Sequence, residues 1–192
     1  MTGGPVMLQT GYWQGGRDMR RRGVTLVELV TVLAVLGVLA ALAAPGFTGL
    51  LLDARRTAGV NALVGAVQLA RSEAIKRARP VTLCRTVDGV NCAGGGDDWS
   101  GGWLVFVPAQ PTRPTAFNAS AELLRVDRPG FQGAVRGNRA AFVFRPGPQR
   151  STNGTVVFCD RRGSPEARAV IISHTGRPRS SPYSPDGRAL VC

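Results

Sequence analysis

Arg20-Arg21-Arg22-Gly23-Val24-Thr25-Leu26-Val27-Glu28-Leu29 decides how this chain is organised. Three cations, one glycine and a lone carboxylate lead into an apolar stretch that carries no charge from Leu29 to Phe47. A helix of roughly 20 apolar residues is long enough to span a bilayer. An acid at the centre of such a helix costs about 2.5–3.5 kcal/mol, so an acid kept inside one points to function. Glu28 lies near the charged end, where the cost is smaller, and it still needs a cationic partner.

Two plain readings compete for this segment. A secretory signal would be cut at Ala41-Leu42-Ala43, but the apolar run exceeds the usual h-region and Glu28 interrupts its start. A simple single-pass anchor accounts for the arginines and the length, through the retention of cations in the cytoplasm, but not for Glu28. The full order of basic cluster, Gly23, Glu28 and apolar helix resembles the class III signal of type IV prepilins and type II secretion pseudopilins, with Val24 where Phe is usual. That resemblance implies cleavage after Gly23 by a prepilin peptidase and methylation of Val24 as the new N-terminus. It also implies pairing of Glu28 with the terminal amine of a neighbouring pilin, an attraction strengthened by low dielectric. Residues 1-23 are then a leader, with Met7 or Met19 as other possible starts, and residues 24-52 the transmembrane and assembly helix. Residues 53-192 are a periplasmic or extracellular domain. All three readings put that domain outside the cytoplasm.

About 140 residues beyond the membrane helix suffice for one compact domain. Pro45 is placed to kink or loosen the helix. Beyond Arg55-Arg56, apolar residues recur at Val60, Leu63, Val64, Val67, Ala70, Ala74 and Ile75, the spacing of one buried helical face. Asn61, Gln68, Ser72, Glu73 and Lys76 fall opposite, Arg71 and Glu73 read as a solvated surface, and Pro80 ends the helix. Short β-rich runs follow at 81–85, 103–107, 123–126, 141–144, 156–159, 169–172 and 189–192, with 93–100 and 109–119 as loops. A long helix packed on antiparallel strands is an α+β architecture.

Cys84, Cys92, Cys159 and Cys192 allow three pairings, and an extracytoplasmic location favours disulfides. The expectation is a short Cys84–Cys92 loop and a Cys159–Cys192 bridge that ties down the C-terminus. Their spacing fits no zinc pattern, and His174 is the one histidine. Asp97-Asp98 in a glycine-rich loop reads as solvated. No phosphate-binding loop or serine elbow appears, so neither an enzyme nor a cofactor or metal is expected.

The segments 69–77, 81–84 and Trp99-Ser100-Gly101-Gly102-Trp103 resemble the GspH/FimT group of minor pilins. The resemblance implies a pilin-like fold, and Trp99 and Trp103 read as packing residues. Charge is uneven. Residues 80–127 carry three arginines against five acids, whereas 128–192 carry eleven against three, which suggests an anionic partner. Solubility, or contact with anionic lipid, is the bland alternative. Within the basic half lies Gly176-Arg177-Pro178-Arg179, where the glycine and proline suggest an exposed loop presenting both guanidinium forks to phosphate. By resemblance, Gly176, Arg177 and Arg179 match the GRxR loop by which FimT-like pilins bind double-stranded DNA in natural transformation. Arg161, Arg162 and Arg188 are further basic candidates nearby. The expectation is a minor type IV pilin, inserted in the inner membrane and then exposed on a pilus. The alternative is a type II secretion pseudopilin that binds other pseudopilins and no DNA.

Overall fold

The computed structural model of the protein describes residues 23–128 and 130–192. The expected leader, apart from Gly23, lies outside the described residues. A helix α1, Leu26–Arg77, opens the structure, and the chain divides into two units, Met1–Ala44 and Pro45–Cys192. In the first unit the Thr25 hydroxyl accepts the Glu28 N–H at 3.2 Å, one arm of a capping box, and Glu28 sits in the positive first turn. Leu26, Leu33, Leu36 and Leu39 are all exposed. Among the described residues no single helix is long and apolar enough to cross a membrane. Leu26–Leu42 and Gly46–Arg77 pass that test only together.

In the second unit α1 buries Val60, Leu63, Ala66, Val67, Ala70 and Ala74. The 3.6-residue period thus holds, with two adjustments: Ala66 joins the buried face, and Ile75 is 55% exposed. Ala78 adopts a left-handed φ of 50°, and the Arg79 N–H reaches back to the Ala74 carbonyl at 3.2 Å. This closes the helix just before Pro80.

Two four-stranded antiparallel sheets follow. The strands are β1 Val81–Arg85, β2 Trp103–Val107, β3 Glu122–Asp127, β4 Ala134–Gly137, β5 Ala141–Phe144, β6 Gly154–Cys159, β7 Arg168–Ile172 and β8 Pro178–Ser181. One sheet has the order β3-β2-β1-β5 and the other β4-β6-β7-β8. Strands β1 and β2 are buried throughout because both faces are covered. Leu83, Trp103 and Val105 join the core of α1, while Cys84, Leu104 and Phe106 form a second cluster beneath Phe117 and Ala121. Trp99 and Trp103 are fully buried, and each indole N–H finds an oxygen at 2.9 Å, on Arg139 and Asp127 respectively.

Cys84 bonds to Cys92 and Cys159 to Cys192. The expected strand at 189–192 is not formed: one bridge joins Tyr183 to Ala189, and the tail is fixed by the disulfide and by buried Leu190. Strands β4 and β8 were not expected.

Candidate nucleic-acid interface

The GRxR segment is the second arm of a hairpin rather than a free loop. Ile172 pairs with Pro178 and Ile171 with Arg179. Between them the Ser173 N–H donates to the Arg177 carbonyl at 3.1 Å, and the Gly176 N–H to the Ser173 carbonyl at 2.9 Å. This is a three-residue turn that ends in a left-handed residue, and Gly176 supplies it with φ 71°. A Cβ at 176 would also lie 3.0 Å from the Phe144 ring and 3.4 Å from Cδ of Arg71. Conformation and space therefore both require glycine. Strand β8 lies at the sheet edge, where a proline as first residue interrupts no ladder. Arg177 and Arg179 stand two residues apart on extended chain, so they leave the same face. Both are exposed.

Three hollows adjoin one another along the crevice between α1 and β8. The first, about 370 Å³, is lined by Arg168 and Arg179 on the sheet side and by Val60 and Val64 of α1. The second, about 350 Å³, holds Arg177 against Arg71 and Ile75. The third, about 730 Å³, adds Arg145 and Arg150 from the β5–β6 connection. Neighbouring hollows share Pro178, then Arg71, Ile75 and Arg177, and no Asp or Glu lines any of them. Among the described residues, Arg71, Arg145, Arg150, Arg168, Arg177 and Arg179 make no ion pair.

The remaining basic candidates lie at the other end of β8, beyond the Ala169–Ser181 pair. There Arg162 binds Asp160 at 2.7 Å and Asp53 at 2.8 Å, and buried Arg56 reaches Asp53 at 2.7 Å and Glu166 at 3.2 Å. The Arg162 hydrogen bonds hold the Asp53 and Asp160 carboxyls below the usual range, and those two carboxylates raise the Arg162 pKa in turn. Arg188 pairs with Asp186, whose carboxyl is lowered to about 2 first by the Ser184 hydroxyl and then by Arg188. Arg161 alone of the three is exposed and makes no ion pair among the described residues. The structure thus separates Arg177 and Arg179 from Arg161, Arg162 and Arg188.

Four functional candidates escaped the sequence reading: Arg71, Arg145, Arg150 and Arg168. Arg71 looked like a solvated helix residue, yet its stem packs under Gly176. Arg145 and Arg150 bracket Pro146-Gly147-Pro148, the same juxtaposition of arginine with Gly and Pro that drew attention to 176–179. Among the described residues no group of three or more His, Cys, Asp or Glu could hold a metal ion.

A long N-terminal helix on antiparallel sheets, tied by two disulfides, is the architecture of a pilin. The sequence profile described as Type II transport protein GspH matches residues 59–176, more than half of the chain, and the chain belongs to that family of minor pilins and pseudopilins. The prokaryotic N-terminal methylation motif matches residues 18–44. The crystal structure of the type IV minor pilin FimU of Pseudomonas aeruginosa shares the fold, with TM-score 0.50 and 20% identity over 70% of this chain and 92% of that one. A second crystal form of FimU gives TM-score 0.47 and 20% identity, covering 68% and 94%. No curated protein sequence matches the chain.

Proposed function

We propose that this minor pilin binds extracellular double-stranded DNA, with little sequence preference, through Arg177 and Arg179, and serves DNA uptake in natural transformation. The observation that carries this reading is the pair of exposed, acid-free guanidinium groups on one face of a hairpin arm that Gly176 fixes in place. Arginine forks pair bidentately with phosphate oxygens, and such contacts give affinity without reading bases. Arg161 is a weaker candidate from the far end of β8. Arg162 and Arg188 are already neutralised, and we assign them to structure. Prepilin peptidase would cut after Gly23 in the inner membrane, and Glu28 would meet the Val24 amine of a neighbouring pilin. N-terminal sequencing of the mature chain then reads Val24; a start at Ala44 would sink that assignment.

The direct test is DNA binding by a soluble fragment beginning near Leu52, titrated at several salt concentrations beside the Arg177→Ala/Arg179→Ala variant. Binding by the fragment and loss in the variant supports the proposal. No binding even at low salt overturns it and leaves the type II secretion pseudopilin as the better reading. That reading is favoured by the matched family's description, and the match ends at Gly176, before both arginines.

A further inference from the structure

We infer that the DNA track extends well beyond the GRxR arm, along the whole crevice between α1 and β8, and that Arg71, Arg145, Arg150 and Arg168 also contact phosphate. This deepens the proposed function and rests on it. The crevice runs beside α1 from the level of Arg56 to that of Ile75. At about 1.5 Å per helical residue this is roughly 29 Å, the rise of about eight base pairs at 3.4 Å each. Its hollows adjoin one another through the residues they share, so one backbone can lie along all three.

What marks this crevice is the gathering of unpaired arginines along walls that carry no Asp or Glu. Outside it Arg162 binds Asp53 and Asp160, Arg77 binds Glu73 and Glu122, Arg125 binds Asp127, Arg136 binds Asp97 and Arg188 binds Asp186, whereas Arg55, Arg79, Arg85, Arg113, Arg128, Arg139 and Arg161 make no ion pair among the described residues. Of the seven arginines that line the crevice only Arg56, at one end, is paired, with Asp53, Asp160 and Glu166; the other six have no such partner, although unpaired cations brought together repel one another. Arg71 is held by its stem against Gly176, and the Arg145 guanidinium is pinned by the Arg150 carbonyl at 3.2 Å. The Arg168 guanidinium likewise donates to the Ala167 carbonyl at 2.9 Å, so three of the six are partly positioned before any phosphate arrives. No Phe, Tyr or Trp lines the crevice. Single-strand binders stack bases on aromatic rings, so these walls suit the backbone of a duplex.

The salt dependence separates a short contact from a long one. Each neutralised phosphate contributes about 0.9 to the slope of log affinity against log salt. Two arginines give a slope of about 2, and six give about 5. The experiment uses the mature full-length chain in detergent micelles, with a 20-base-pair duplex and the matching single strand followed by fluorescence anisotropy. Variants are Arg145→Gln/Arg150→Gln, Arg71→Gln and Arg177→Ala/Arg179→Ala, with Arg150→Gln alone in case the double change disturbs folding. We expect a wild-type slope near 5, duplex preferred over single strand, and a fall of about 2 in slope for Arg145→Gln/Arg150→Gln with at least about ten-fold weaker binding. Arg150→Gln alone lowers the slope by about 1. Wild-type affinity and slope in the 145, 150 and 71 variants, with binding lost in the 177/179 variant, overturn the extended track and leave the proposed function standing. Absence of duplex binding by the wild-type chain removes both.

Discussion

Asp186 holds Arg188 in an ion pair across a Ser-x-x-Gly-Arg turn, and the preceding Ser-x-x-Gly-Arg turn has Thr175 where that acid stands. The two turns share their backbone. The Ser184 N–H donates to the Arg188 carbonyl at 2.9 Å and the Gly187 N–H to the Ser184 carbonyl at 3.0 Å, with Gly187 at φ 80°. Ser173, Gly176 and Arg177 repeat those bonds. The chain therefore contains one silenced and one open copy of the same device.

Thr175→Asp should convert the open copy into the silenced one. Salt-titrated DNA binding is expected to lose about one phosphate contact, a slope smaller by about 0.9. Thr175→Asn, neutral and nearly the same shape, should keep wild-type binding. Because the site is exposed, stability should shift by no more than about 0.5 kcal/mol in either variant.

The two turn glycines predict different costs. Gly187→Ala meets open space, so only the left-handed backbone is penalised, at about 1 kcal/mol. Gly176→Ala adds a contact with the Phe144 ring and should cost about 2–3 kcal/mol. Urea unfolding of both variants gives the comparison, and equal losses would refute the steric part.

Acid should weaken the fold through the carboxylates around Arg162. Folding lowers the Asp53 and Asp160 pKa values, so between the unfolded and folded values the unfolded chain binds more protons. Their contribution is complete above about pH 4, the unfolded value, and is lost as pH falls through the lower folded values. Asp160→Asn should cost about 3 kcal/mol at pH 7, since it leaves buried Arg56 and half-buried Arg162 short of a partner. It should also flatten the decline below about pH 4. Denaturant midpoints across that range measure both effects.

Removing the disulfides should rank them by loop length. Sequence separations of 8 and 33 residues correspond to about 2.5 and about 4 kcal/mol in the chain-entropy treatment. Cys159→Ser/Cys192→Ser is therefore expected to unfold at lower denaturant than Cys84→Ser/Cys92→Ser, and the opposite order would show that local packing outweighs chain entropy.

Much of the fold was legible where burial imposes a period. The buried face of α1 was readable from Val60 to Ala74, and β1, β2 and β5 coincide with their apolar runs, because those strands are covered on both sides. Strands β4 and β8 escaped because edge strands need little apolar surface. Ala134–Gly137 buries Val135 and Gly137, and Pro178–Ser181 buries only Ser181. Conversely Leu190 and Val191 resembled a strand, but a disulfide and one buried leucine fix the tail without a ladder. Gly176, Arg177 and Arg179 were visible as a motif. Arg71, Arg145, Arg150 and Arg168 were not, since only the tertiary fold carries their separate segments to one crevice.

Strand β8 is an edge strand, the kind that peels first when a tethered load pulls on it. Among the described residues its ladder runs only to β7, and those bonds would open one after another like a zipper. The segment beyond it ends at Cys192, which is bonded to Cys159 in β6, past β7. Traction on a polymer held at Arg177 and Arg179 would thus reach a covalent tether anchored inside the sheet. Peeling would be arrested at that point, and such a grip would outlast the hydrogen bonds that shape it.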